Sequence, residues 1–270
     1  MNRFDKLFDR PDRRAFIPFF TLGDPTPKAS LDIIRAAVDA GADALELGFP
    51  FSDPITDGPV NQRSMQRALK AGVTYAACVE MVREIRSAYP DLAIGLLLYY
   101  NLLFMRGDSA YQELADIGID AVVCSDLPLD ESFAHMQALR ANGLGCIQMV
   151  APNTGAERAR RLIGESSAFT YVISRFGTTG SAEDLEPDTL ARVHRLGACQ
   201  RPLVVGFGIS KVSHVRELWK AGAHGVIIGS LFSLKIEKNP HDCAPAVEFI
   251  RNFISQIQAG KPCLDYPGVV

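Results

Sequence analysis

With 270 residues, 47% hydrophobic and 22% charged, the chain can bury a sizeable core as one large α/β barrel or as two small domains. Its net charge of -3 is spread without long runs, so nothing marks it for nucleic acid or an anionic membrane surface. Six cysteines, at 78, 124, 146, 199, 243 and 263, show no CxxC pairing, and no segment has the unbroken apolar length of a membrane span; reduced structural thiols in a cytoplasmic protein are expected.

The N-terminal stretch MNRFDKLFDRPDRR is charged throughout, with Phe4, Leu7 and Phe8 at helical spacing and no apolar centre of a signal peptide. A small docking helix is predicted there. Strands are predicted at Ala15–Leu22, Ala44–Leu47, Ala93–Tyr99, Ala121–Cys124, Cys146–Val150, Phe169–Ile173, Leu203–Gly206 and Gly225–Ile228. Helical spacing separates them at Ser30–Ala40, Tyr75–Ser87, Ala110–Asp116, Asp130–Ala141, Ala156–Ile163, Asp188–Leu196 and Lys211–Ala221, with a last helix at Ala244–Gln258. Four of these helix ends carry a glycine, Gly41, Gly118, Gly143 and Gly222, with a strand starting soon after, as expected of short αβ turns. Apolar strands without clean two-sided alternation argue for a parallel sheet covered on both faces. Closure into an α/β fold of the single (βα)8 TIM barrel type over 1–270, with an extra N-terminal helix, is the simplest architecture. An open doubly wound sheet would normally carry a GxGxxG after its first strand, and Thr21-Leu22-Gly23-Asp24-Pro25 is not one.

In such a barrel the chemistry lies on the loops where strands end. Two are predicted to be long: Phe49 to Arg67 after the second strand, and Ser174 to Asp188 after the sixth. Strand alternation puts Leu45 and Leu47 on one face and Glu46 on the other, between Ala44 and Gly48. A carboxylate in a covered sheet is costly without a partner or a task, and desolvation would raise its pKa into the range where it can both donate and accept a proton. Asp57, on the loop that follows, is a second candidate acid, although Asp before Gly is also an ordinary turn residue; Asp53 in Ser-Asp-Pro is more ordinary still. Gly206-Phe207-Gly208-Ile209-Ser210 after the seventh strand, Gly229-Ser230 after the eighth and Gly177-Thr178-Thr179-Gly180 on the sixth loop could offer backbone N–H groups to an anion. Any one of them fits a plain strand-to-helix turn; three at the expected strand ends favour a phosphate site. The five histidines (135, 194, 214, 224, 241) form no metal pattern, GxSxG is absent, and of the lysines only Lys211 approaches a strand exit.

In PFFTLGDPT (18–26), LELGFPFSDPITDGP (45–59), LLLYYNLLF (96–104), SDLPLDES (125–132), TYVISRFGTTG (170–180), VGFGIS (205–210) and IIGSLF (227–232), the chain resembles the alpha subunit of tryptophan synthase over almost its whole length. The resemblance implies a cofactor-free lyase that cleaves indole-3-glycerol phosphate into indole and glyceraldehyde 3-phosphate, and a partner, the pyridoxal-phosphate beta subunit, in an alpha2beta2 assembly. It makes Glu46 the general acid/base and Asp57 the carboxylate that holds the indole N–H. Phosphate would rest on Gly180, Gly208, Gly229 and Ser230, and the indole among Phe19, Leu97, Tyr99, Val123 and Phe207. Tyr171 would line the site, Thr179 would link the sixth loop to Asp57, and Pro50 and Asp53 would meet the partner. Thr56, Asn61, Phe176 and Thr178 depart from the family's usual residues, and none of the four is expected to touch an acid or a phosphate ligand. A regulatory subunit with slow chemistry of its own, and another phosphate-handling barrel enzyme, stay open as alternatives.

Overall fold

The computed structural model describes residues 2–10, 14–174, 185, 187–197 and 201–261. Its strands are β1 (Ala15–Thr21), β2 (Ala44–Gly48), β3 (Ala93–Leu98), β4 (Ala121–Cys124), β5 (Gly145–Cys146), β6 (Gln148–Val150), β7 (Thr170–Ile173), β8 (Leu203–Gly206) and β9 (Gly225–Ile228). All pairings are parallel, in the order β5-β4-β3-β2-β1-β9-β8-β7-β6. The two ends of that order, β5 and β6, are consecutive in the chain and joined through Ile147, so they form one barrel position and the sheet closes on itself. The predicted strand Cys146–Val150 is this pair, interrupted at Ile147, whose N–H still donates to Val122 O on β4 at 3.0 Å.

The helices are α1 (Arg3–Leu7), α2 (Pro27–Asp39), α3 (Pro59–Lys70), α4 (Tyr75–Ala88), α5 (Tyr100–Phe104), α6 (Ser109–Asp116), α7 (Phe133–Ala141), α8 (Ala156–Glu165), α9 (Pro187–Leu196), α10 (Val212–Lys220), α11 (Ser230–Lys238) and α12 (Ala244–Ala259). Local chemistry starts several of them: Thr26 and Thr74 accept hydrogen bonds from Ala29 N and Ala77 N, and Pro27 and Pro59 stand where a helix needs no N–H. α3 begins inside the stretch predicted as loop through Arg67 and runs past it to Lys70. Its sequence, PVNQRSMQRALK, is mostly polar, and the buried Val60, Ser64, Met65 and Ala68 make only a weak apolar stripe. The loop after β2 therefore ends at Gly58.

Strand side chains divide between two cores. Leu45, Leu47, Ile94, Leu96, Val172 and Val205 face the surrounding helices, while Ile17, Phe19, Leu97, Val123, Tyr171, Val204 and Ile227 fill the barrel interior. At the strand starts the inner residues are small: Ala15, Ala44, Ala93 and Ala121, with Gly145, Ala168 and Gly225 beside them in register or sequence. The room goes to α1, whose Phe4, 1% exposed, packs edge-on against Phe169 at 5.2 Å and stacks with Phe8. A Cβ on Gly95 would stand 3.5 Å from the Phe4 ring. Asp120 latches this plug, accepting from Arg3 at 2.9 Å, Arg86 at 3.0 Å and Ile94 N at 2.8 Å. The predicted docking helix is thus the stopper at the N-terminal end of the barrel.

Candidate active site

At the opposite end, where the strands exit, the interior opens into a cleft lined by Glu46, Asp57, Gly208, Gly229 and Ser230. β2 delivers Glu46 to it: in register with Phe19 on β1 and Gly95 on β3, Glu46 turns inward because Leu45 and Leu47 claim the helix-covered face. It is 2% exposed, and among the described residues its Oε1 has no hydrogen-bond partner. Burial first, and then the neighbouring charge of Asp57, raise its pKa to about 8. A group so placed is protonated at neutral pH and still close enough to its pKa to take a proton back.

Asp57 reaches the same cleft from the end of the β2 loop. The turn that carries it is tied down by Gln62 Nε2, which donates to Asp57 O at 2.9 Å, and by Asp57 N donating to Pro54 O at 3.1 Å. Tyr99 Oη donates to Asp57 Oδ2 at 2.7 Å, and Asn61 Nδ2 donates to Oδ1 at 3.3 Å. Burial pushes the Asp57 carboxyl up, and these two donors oppose that shift by favouring the ion. The two carboxyls therefore share a cleft with different support: Asp57 has donors on both oxygens, whereas Glu46 has an unpartnered one.

The anion end is built from the turns after β8 and β9. Gly208, Gly229 and Ser230 line the cleft with Glu46 and Asp57, and α11 starts at Ser230, ahead of the first helix bonds, which Phe232 N and Ser233 N make to Gly229 O. Close approach requires glycine here: a Cβ on Gly229 would lie 2.6 Å from Phe19, and one on Gly206 would lie 2.2 Å from Tyr171 Oη. Phe207 has φ 74 and Gly208 φ 73. The left-handed region is unfavourable for a bulky residue, and such strain concentrates at functional sites. Ser174 Oγ holds the turn by donating to Phe207 O.

Phe19, Leu97, Tyr171 and Phe207 form apolar walls, Tyr171 and Phe207 meeting edge-on at 5.7 Å. Tyr99 and Val123, expected among them, do not line the cleft. Val123 is packed in the interior, in register with Leu97. Tyr99 stands behind Asp57, its ring stacked on Phe51 at 5.0 Å and its hydroxyl committed to Asp57, so its contribution is polar. Thr179 and Gly180, with Phe176 and Thr178, lie outside the described residues. Pro50 is half-buried and Asp53 exposed on the β2 loop.

Asn61 is a correction: expected to touch no acid, it is buried, lines the cleft and donates to Asp57. Thr56 touches no carboxyl; its Oγ1 bonds Tyr99 Oη at 2.8 Å and Ser125 Oγ at 2.6 Å. The sequence signal for Asn61 was its place four residues after Asp57 and two after Pro59, a helix start that brings Asn61 back to the preceding Asp57. Ile209, Ile227 and Ile228 also line the cleft and carried no signal beyond apolarity.

A family model for the tryptophan synthase alpha chain matches residues 6–260. The chain belongs to the tryptophan synthase alpha chain family. It is 41% identical over 266 residues to the tryptophan synthase alpha chain of Cronobacter sakazakii, covering 97% of this chain and 99% of that one. With the tryptophan synthase alpha chain of Methanothermobacter thermautotrophicus the identity is 41% over 258 residues, 95% of each. Among solved structures, the tryptophan synthase alpha-subunit of the hyperthermophile Pyrococcus furiosus matches with a TM-score of 0.83 at 33% identity, over 91% of this chain and 98% of the other. A chain from the tryptophan synthase a2b2 complex of the same organism matches with a TM-score of 0.83 at 31% identity, with the same coverage.

Proposed function

We propose that this chain, acting as one (βα)8 domain over 1–270, cleaves indole-3-glycerol phosphate to indole and glyceraldehyde 3-phosphate in tryptophan biosynthesis. The observation that carries the reading is the shared cleft: a buried glutamic acid whose Oε1 has no partner among the described residues and a donor-supported aspartate at one end, glycine turns and a helix N-terminus at the other. Glu46, protonated at neutral pH, gives its proton to the ring carbon that bears the glycerol chain. Asp57 accepts a hydrogen bond from the ring N–H and stabilises the positive charge that protonation creates. The Glu46 carboxylate then takes the hydroxyl proton from the adjacent glycerol carbon. The C–C bond breaks, its electrons return to the ring, the hydroxyl carbon becomes the aldehyde, and Glu46 ends as it began. No cofactor enters this balance. Gly208, Gly229 and Ser230 hold the phosphate in this reading, with Gly180 of the sixth loop as a further ligand and Thr179 as that loop's link to Asp57, and a flat ring suits walls made by Phe19, Leu97, Tyr171 and Phe207.

The same reading gives the chain a beta-subunit partner in an alpha2beta2 assembly. Support comes from the a2b2 complex of P. furiosus and from apolar side chains left in solvent in the connections after adjacent strands β2, β3 and β4: Ile55 is 79% exposed, Phe104 68%, Met105 71% and Phe133 68%. Pro50 and Asp53 lie on the first of these loops. A cytoplasmic location fits a biosynthetic enzyme of this family; among the described residues no helix is long and apolar enough to cross a membrane. The test is indole release from indole-3-glycerol phosphate by the purified chain, with the beta chain added second. Release by the chain, accelerated by the partner, is expected; no release under either condition overturns the reading.

A further inference from the structure

Asn61 makes two bonds with the two ends of one amide. Its Nδ2 donates to Asp57 Oδ1 at 3.3 Å, and its Oδ1 accepts from Ser233 Oγ at 3.4 Å on α11, the helix that begins at the Gly229–Ser230 turn. Its backbone carbonyl accepts from Ser64 Oγ at 2.8 Å, and that hydroxyl is 2.7 Å from Thr21 Oγ1 at the end of β1. Outside this buried set the same two helices are joined again, Arg63 donating to Glu237 at 2.5 and 2.9 Å and Arg67 at 3.2 Å. An aliphatic side chain of similar size would fill the space and make neither amide bond.

We propose that Asn61 is a positioning residue that fixes the Asp57 carboxylate in the cleft and ties it, through Ser233, to the helix that opens at the anion turn. The roles given to the two ends of the cleft rest on the proposed reaction; the bonds themselves do not. Tyr99 on Oδ2 and Asn61 on Oδ1 together fix the plane of the carboxylate, so that remaining lone pairs can accept from a ring N–H. Among the described residues, the titratable groups that face Asp57 from the packed elements are Glu46 on β2, Tyr99 after β3 and Tyr171 on β7, and none of these is a cation. Burial raises the Asp57 pKa, and these hydrogen-bond donors oppose that shift. An anion seated at the start of α11 steadies that helix and, through Ser233, the orientation of the Asn61 amide.

The test compares wild type, Asn61→Leu and Ser233→Ala. Its readouts are kcat and KM for indole release across pH, and a carbon-NMR titration of the Asp57 carboxyl, assigned from its loss in Asp57→Asn. Asn61→Leu is expected to lower kcat about tenfold with KM changed by less than about twofold. It should also move both the acidic limb of kcat and the Asp57 titration to higher pH, with Ser233→Ala shifting them the same way by less. Coincident titrations and acidic limbs in all three proteins overturn the proposal. If Asn61→Leu fails to fold, Ser233→Ala, which removes a single hydroxyl, decides by the same readouts. A wild type that releases no indole would overturn the proposed reaction, while the carboxyl titration still decides whether Asn61 supports Asp57.

Discussion

The two ends of the barrel interior are lined by the same strands and built to opposite rules. At the strand starts, alanines and glycines make room for Phe4 and Phe8, every aromatic ring has a ring neighbour, and the Asp120 carboxylate is held by two arginines and a backbone N–H. At the strand exits, Glu46 keeps an oxygen without a partner among the described residues, two acids share one cleft, and Phe207 takes a left-handed backbone. One end is relaxed and satisfied; the other stores desolvation and strain. Stability and reactivity are thereby separated along a strand such as β2, where Ala44 serves the plug and Glu46, two residues on, serves the cleft.

The separation can be broken most severely at the exit end. Glu46→Gln or Asp57→Asn should reduce indole release by about 10²–10⁴-fold, the span of a lost acid/base group, without lowering the unfolding midpoint. A rate near wild type in either variant would remove that acid from the mechanism. The plug is the reciprocal case. Phe4→Ala should cost about 3–5 kcal/mol in denaturant unfolding, while kcat per folded molecule stays within a small factor of wild type. A large fall in kcat with normal stability would show that the two ends are not separate.

A smaller effect sharpens the contrast through pH. The folded pKa of Glu46, about 8, stands above its ordinary value of 4.5, so the folded state binds the proton more tightly than the unfolded one. Stability from this group is complete below about pH 4.5, declines as pH rises toward 8, and is level beyond. Gln cannot titrate. The stability of Glu46→Gln relative to wild type should therefore grow by roughly 1.4 kcal/mol per pH unit across that window, in urea unfolding at pH 5, 7 and 9. An advantage that is flat, or that shrinks with pH, would mean that Glu46 is not held protonated.

Much of this was legible along the chain. The inward turn of Glu46 follows from period-two alternation, since Leu45 and Leu47 must share the greasy face. Gly208, Gly229 and Ser230 could be assigned to strand exits because the strands themselves were recognisable as short apolar runs. α3 was not legible, because a helix that packs on one narrow stripe carries mostly polar residues, and with it the contact between Asn61 and Asp57 was missed. The bond from Tyr99 to Asp57 was not legible for a related reason: an aromatic ring at a strand exit suits an apolar wall equally well, and only the neighbouring chain shows where its hydroxyl points.

The amino-acid order alone determined the repeating strand and helix pattern, the small residues that leave space for a plug, and which strand ends carry acids or glycines. These are local properties, set by backbone preference and by which side chains can be buried. Only the tertiary structure decided that β5 and β6 close the ring, that Glu46 faces Asp57 across one cleft, and that α11 reaches Asp57 through Asn61. Contacts such as Asn61 to Ser233 join residues far apart in the chain, and their geometry exists only once the barrel has closed.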